Sequence, residues 1–216
     1  MATHNPSLTD FNRHDVPLVV PQRMTEEEFV AWCDEDTRAE WVDGEVIMMS
    51  PANSEHVSLN VWLIQVLGLY INHHSLGGIF ADLQIRFATL HRRRVPDMIF
   101  VAQNRLDLLR PAHFEGPPDL AIEIVSPDSI SRDWRDKYLD YEVAGVREYW
   151  VISPAHERME AYALDGQGKY QQLAEIEGKI SSSVLAGFQL QTAWLWPKSR
   201  PNVIDALREL NVWQPA

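Results

Sequence analysis

The chain has 216 residues, 19 Lys+Arg against 31 Asp+Glu, a formal net charge of −12 and 45% hydrophobic residues. This is the balance of a folded globule long enough to bury a core without disulfide staples. The acidic excess excludes a protein that coats nucleic acid by charge alone. A single cysteine, Cys33, excludes an intramolecular disulfide framework and a zinc site built from several thiolates. No apolar run reaches the roughly 18 residues of a membrane span, and the first residues lack the basic start and apolar block of a secretory signal. A cytoplasmic protein without a membrane partner is the expectation.

In chain order, residues 1–22 read as a loose tail containing proline. The run TEEEFVAWCDED predicts a short helix, with Thr25 as its cap and Glu28 reaching back in a capping box. RAEWVDGEVIMMSP predicts two strands about Asp43-Gly44, a strong hairpin signal. Ser54 opens a long helix with apolar residues on more than one stripe, so it should be largely buried, and Gly77-Gly78 should stop it. In IFADLQIRFA, Ile79, Ala81, Leu83, Ile85 and Phe87 alternate with polar residues, which predicts one two-faced strand. VPDMIFV and DLAIEIVSP are nearly continuous apolar runs, as in strands covered on both faces. A helix over 131–144, ended by Gly145, precedes the strand REYWVIS. Residues 158–191 read as a hairpin and irregular strands, and VIDALREL as a closing helix.

Charge is rare in buried strands, which makes Asp97 in VPDMIFV and Glu123 in DLAIEIV informative. Alternation puts Asp97 on one face with Val95, Ile99 and Val101, and Glu123 with Ala121 and Val125. A carboxylate there needs a cation, a basic side chain or water. Two of them on neighbouring strands suit one hard divalent ion; the plain alternative is a buried ion pair such as Asp97 with Arg86. The chain has only four lysines, and Lys137 lies mid-helix with Asp133 at i−4 and Tyr141 at i+4. Its spacing fits either an exposed Asp133–Lys137 pair or an ammonium aimed at the carboxylates.

The stretches EWVDGEVIMMSP, SEH at a helix start, VPDMIFV, GPPDLAIEIVSPDS, K…Y…AGVREYWVI and AGFQL follow one another in the order of a known family. From about residue 24 to about 196 the chain resembles the Uma-two family of bacterial restriction endonucleases, within the PD-(D/E)xK superfamily. The resemblance implies a restriction-endonuclease-like α/β core, a mixed sheet flanked by helices, with β-hairpin additions at both ends. It implies magnesium-dependent phosphodiester hydrolysis, with manganese as an alternative ion. Pro96-Asp97 matches the PD element, and Glu123 the acidic residue of the (D/E)xK element, so Asp97 and Glu123 become metal ligands. Val125 stands where lysine is usual, and Lys137 in the next helix fits the displaced lysine. Glu40 and His56 resemble further acidic and basic members of the catalytic site; a surface hairpin residue and a helix cap are the competing readings.

The run His91-Arg92-Arg93-Arg94 reads as a solvated turn before it reads as a phosphate contact. His73-His74 suits a helix C-terminus, and the eight tryptophans read as packing rather than base-stacking platforms. Cys33 has no evident partner for nucleophilic catalysis. No phosphate loop or nucleophile elbow is present. Three divisions are expected: a tail over 1–22, one nuclease-like domain over 23–200, and a helix and tail over 201–216. The expected activity is metal-dependent cleavage of nucleic acid, DNA first, by a homodimer able to cut both strands. The alternatives are an inactive nuclease fold that binds nucleic acid or protein, and a phosphoesterase for small nucleotides.

Overall fold

The computed structural model describes residues 23–34, 36–125 and 132–213; the expected tail over 1–22 lies outside the described residues. Helix α1 is Glu26–Trp32, and its capping box forms as read: Thr25 Oγ1 accepts the Glu28 N–H at 3.2 Å, and Glu28 accepts the Thr25 N–H at 2.8 Å. Strands β1 (Ala39–Val42) and β2 (Glu45–Met48) pair about Asp43 and Gly44, both at positive φ, the geometry that a two-residue hairpin requires. Helix α2 is Ser54–His73, capped by Asn53, whose side chain accepts the His56 N–H.

Six strands follow: β3 (Gly77–Ala81), β4 (Gln84–Phe87), β5 (Arg92–Arg94), β6 (Met98–Ala102), β7 (His113–Glu115) and β8 (Leu120–Ile124). A π-helical turn, Arg132–Lys137, runs into α3 (Tyr138–Ala144), which Gly145 ends in the left-handed conformation. Then come β9 (Glu148–Ser153), β10 (Arg158–Leu164), β11 (Tyr170–Gln172), β12 (Glu175–Ile176), β13 (Lys179–Ser181), β14 (Gln189–Gln191) and α4 (Val203–Glu209).

Among the described residues the strands form three sheets, in the orders β2-β1-β5-β4-β7, β11-β10-β9-β8-β6-β3 and β12-β13-β14. The six-stranded sheet is mixed: β8 and β9 are parallel, while β6 is antiparallel to β8. One face packs under α2, with Met98, Ile122 and Trp150 meeting Leu63 and Leu67. The other face packs under α3 and the five-stranded sheet, with Ile99, Ala121 and Val151 meeting Tyr141, Ile85 and Phe114. Because both faces are covered, β6 and β8 needed near-continuous apolar sequence, and the two charges beside that cover are conspicuous. Among the described residues, Trp41, Trp62, Trp150 and Trp194 are buried in packing.

Three expectations change. The single strand over 79–88 is two strands in different sheets: Asp82, at φ 52°, breaks the line between β3 and β4. Alternation continues across the break, so periodicity alone hides it. The arginine run is a strand, β5, with only His91 left in the turn at φ 51°. Arg93 and Arg94 are buried because Glu26 and Glu40 neutralise them. Finally, α2 ends at His73, ahead of the glycine pair, and Gly77 opens β3 instead.

Gly77 sits at φ 151°, where a Cβ would lie 2.0 Å from the Val101 carbonyl oxygen. Backbone meets backbone there, so no side chain can yield. Gly77→Ala should therefore lower unfolding free energy by at least ~2 kcal/mol. Urea denaturation checks this; a change within ~0.5 kcal/mol would contradict the close approach of β3 to β6.

Candidate active site

The register of β6 on β8 builds the site. Met98 lies opposite Ile122, so one rung further Asp97 lies opposite Glu123. Opposed residues of an antiparallel pair project to the same face. Met98 and Ile122 point toward α2, which sends Asp97 and Glu123 to the α3 face with Ile99, Ala121 and Val125, as alternation predicts. Asp97 is 7% exposed and Glu123 3%.

Each carboxylate is held at both oxygens. Asp97 Oδ1 lies 2.8 Å from His56 Nε2, and Oδ2 accepts the Ile124 N–H at 2.6 Å. Glu123 Oε2 accepts from Lys137 Nζ at 2.8 Å, and Oε1 from the Tyr141 hydroxyl at 2.7 Å. Lys137 and Tyr141 stand four residues apart across the π-to-α junction, which sets both on one side of the helix facing β8. Lys137 Nζ also lies 3.1 Å from Glu40 Oε1. Glu40 accepts the Val95 N–H at 3.1 Å and Arg94 Nη1 at 2.7 Å, and Asp140 clamps the same guanidinium from the other side. The result is an ammonium bridging two carboxylates, backed by an arginine.

These contacts decide between the readings that spacing left open. Lys137 is buried, so it is not an exposed surface pair. Glu40 is 1% exposed although it lies in a hairpin strand. His56 does not cap α2 with its ring; Asn53 does the capping, and the imidazole goes to Asp97. Arg86 pairs with Glu26 and Glu115, not with Asp97. All five predicted residues, Asp97, Glu123, Lys137, Glu40 and His56, line one cleft of about 340 Å³. Sequence reasoning missed Tyr141, Arg94 and Asp140 as supports. Tyr141 was accessible from its i+4 spacing to Lys137; the partners of Arg94 lie 46 and 54 residues away and leave no local signal.

Burial alone would raise the Glu40 carboxyl, but the charges of Lys137 and Arg94 outweigh it and bring the pKa to about 2. Burial, followed by the negative charge of Glu123, pushes the Tyr141 hydroxyl well above its ordinary value. Tyr141 thus stays a proton donor, and Glu40 stays an anion beside the Lys137 amine.

Asp97 and Glu123 could hold a hard divalent cation. Magnesium takes one or two carboxylates and fills its shell with water and substrate oxygens, and both side chains line the cleft. Among the described residues no three His, Cys, Asp or Glu side chains converge as a full protein cage. This donor set fits an ion that remains largely hydrated.

A depressed carboxylate pKa contributes stability above its unfolded value and loses it as pH falls toward the folded value. Glu40 should therefore stabilise the fold fully above about pH 4.5 and progressively less down to about pH 2. Glu40→Gln should cost about 3–5 kcal/mol at pH 7, because Lys137 and Arg94 lose a buried partner. Urea unfolding at a series of pH values should show the gap between the two proteins closing below pH 4.5. A gap independent of pH would mean that Glu40 does not carry the charge in this network.

Comparison with known proteins gives the lineage. The model of the Uma2 (Uma-two) family, described as "Putative restriction endonuclease", matches residues 26–193. No curated protein matches the chain. Among solved structures, the fold is similar to a crystal structure titled as a putative nuclease belonging to DUF820 from Anabaena variabilis ATCC 29413. That likeness has a TM-score of 0.67 and 19% sequence identity, covering 80% of this chain and 97% of the other. The likeness shows a shared fold of mixed sheets flanked by helices, and the matched span, which includes every residue of the cleft named above, shows that the chain belongs to the Uma2 family.

Proposed function

We propose that this protein is a metal-dependent endonuclease that hydrolyses phosphodiester bonds of nucleic acid, DNA first, with magnesium as cofactor and manganese as the alternative ion. The observation that carries the reading is the juxtaposition of Asp97, Glu123 and Lys137, from three separate elements, in one cleft. Family membership and the nuclease-type fold support it. Asp97 and Glu123 would hold the ion. When bound, magnesium supplies Lewis acidity toward a phosphoryl oxygen and a water of lowered pKa.

The chain's own groups prepare the rest. Lys137 places a positive charge beside Glu123, where it can hold a water or the negative charge that grows on the phosphoryl group. Glu40 and Arg94 fix that ammonium from behind, so its position costs no reorganisation during the reaction. Tyr141 sets the rotamer of Glu123 from its second oxygen, and His56 sets that of Asp97. Val125 lies on the same face as Glu123 and is buried among apolar side chains, so lysine from α3's approach takes the place that strand β8 does not provide. Cutting both strands of a duplex would call for two copies in a symmetric pair.

The reading predicts cleavage of plasmid or oligonucleotide DNA with magnesium or manganese, and a loss of ~100-fold or more in Lys137→Ala. Cation-induced thermal stabilisation should survive in that variant, because lysine is not a ligand. Val125→Lys combined with Lys137→Ala should recover part of the rate. Unchanged turnover in a folded Lys137→Ala protein would remove the lysine from the mechanism.

A further inference from the structure

The cleft that holds the carboxylates has a wall that the proposed chemistry does not use. Val57, Val61 and Ile64 form a stripe along α2 at i, i+4 and i+7, and all three line the cleft that also holds Asp97 and Glu123. Val57 is 48% exposed and Val61 49%, so this part of the helix face is open to a ligand. Within this stripe lies Asn60, which also lines the cleft; its Oδ1 is shielded from solvent and has no hydrogen-bond partner. Rotation of that amide can present either a donor or an acceptor to a bound group.

The cations tell against a groove that tracks a duplex. Among the described residues, the basic side chains lining the cleft are Arg38, His56 and Lys137, and each already lies on a carboxylate: Asp82, Asp97 and Glu123 respectively. The arginines of β5 are committed inward, Arg92 to Asp43 and Asp140, Arg93 to Glu26, and Arg94 to Glu40. Duplex binding draws most of its affinity from many phosphate contacts, and the described residues of this site offer few. Its volume, about 340 Å³, is at the small end for pockets that enclose one small molecule. An apolar wall with one amide is the lining that receives a base taken out of its stack: apolar side chains cover its faces and an amide meets its edge.

We infer that the substrate of this site is single-stranded nucleic acid, one base of which lies against Val57, Val61 and Ile64 with its edge on Asn60. The inference rests on the endonuclease reading for the position of the phosphate at Asp97 and Glu123. It also removes the need for a symmetric pair, since only one strand is cut.

The test is fluorescence anisotropy with labelled oligothymidylate, oligouridylate and a DNA duplex of equal length, in calcium, alongside cleavage of the same strands in magnesium. Single strands should bind about 10-fold more tightly than duplex, a difference of about 1.4 kcal/mol. Val61→Ser should lose about 10-fold on single strands and leave duplex binding unchanged. Asn60→Ala should reorder affinities among strands of different base. Single strand over duplex with both sugars supports the inference, and the tighter strand names the sugar. Equal or tighter duplex binding, or single-strand binding unaltered in folded Val61→Ser, would overturn it. If no strand is cut with any cation while this binding order holds, the endonuclease reading fails and the single-strand inference stands.

Discussion

An ammonium buried between two carboxylates is the interaction on which the site depends. Lys137 lies 2.8 Å from Glu123 and 3.1 Å from Glu40, and all three are almost wholly removed from water. Removing such charges from water is expensive, and only close pairing with additional hydrogen bonds offsets it. The additional bonds are present: Tyr141 on Glu123, and the Val95 N–H and Arg94 on Glu40. The bridge therefore ties α3 to the ends of two sheets. A stability argument alone would have favoured apolar residues at these positions. Their arrangement around one cleft suits a catalytic charge held fixed in advance.

The fold's larger features serve this placement. Antiparallel register of β6 on β8 brings Asp97 opposite Glu123, and apolar cover on both faces of the six-stranded sheet keeps that register from slipping. The π-helical turn ahead of α3 lies where Lys137 enters the site, in keeping with the frequent occurrence of such turns at functional positions. The five-stranded sheet, which carries Glu40 and Arg94, supplies the back of the site through β1 and β5, so the N-terminal hairpin is joined to the core rather than hung from it.

How much was legible in the sequence follows from how local each signal is. Asp97 and Glu123 stood out because a charge interrupts an otherwise apolar strand, and period-two alternation gave the partners of each on its own strand face; that the two share one face follows only from the register of β6 on β8. The hairpin at Asp43-Gly44 and the capping box at Thr25 are local chemistry and formed as read. The arginine run misled because its neutralising carboxylates, Glu26, Glu40 and Asp140, are 46 to 67 residues away; without them, three arginines read as solvated. The break at Asp82 was hidden because both strands alternate in the same phase on either side of it. Asn60 gave no signal at all, being one polar residue on a helix whose apolar residues cover more than one stripe.

The central claim is that Asp97 and Glu123 together bind one divalent cation beside Lys137. Manganese titration followed by electron paramagnetic resonance, on wild-type protein and on Glu123→Gln, tests it most directly. The account predicts one manganese ion per chain, with affinity weakened by roughly 10-fold or more in the variant. Equal affinity in the two folded proteins, or no bound ion in either, would contradict it.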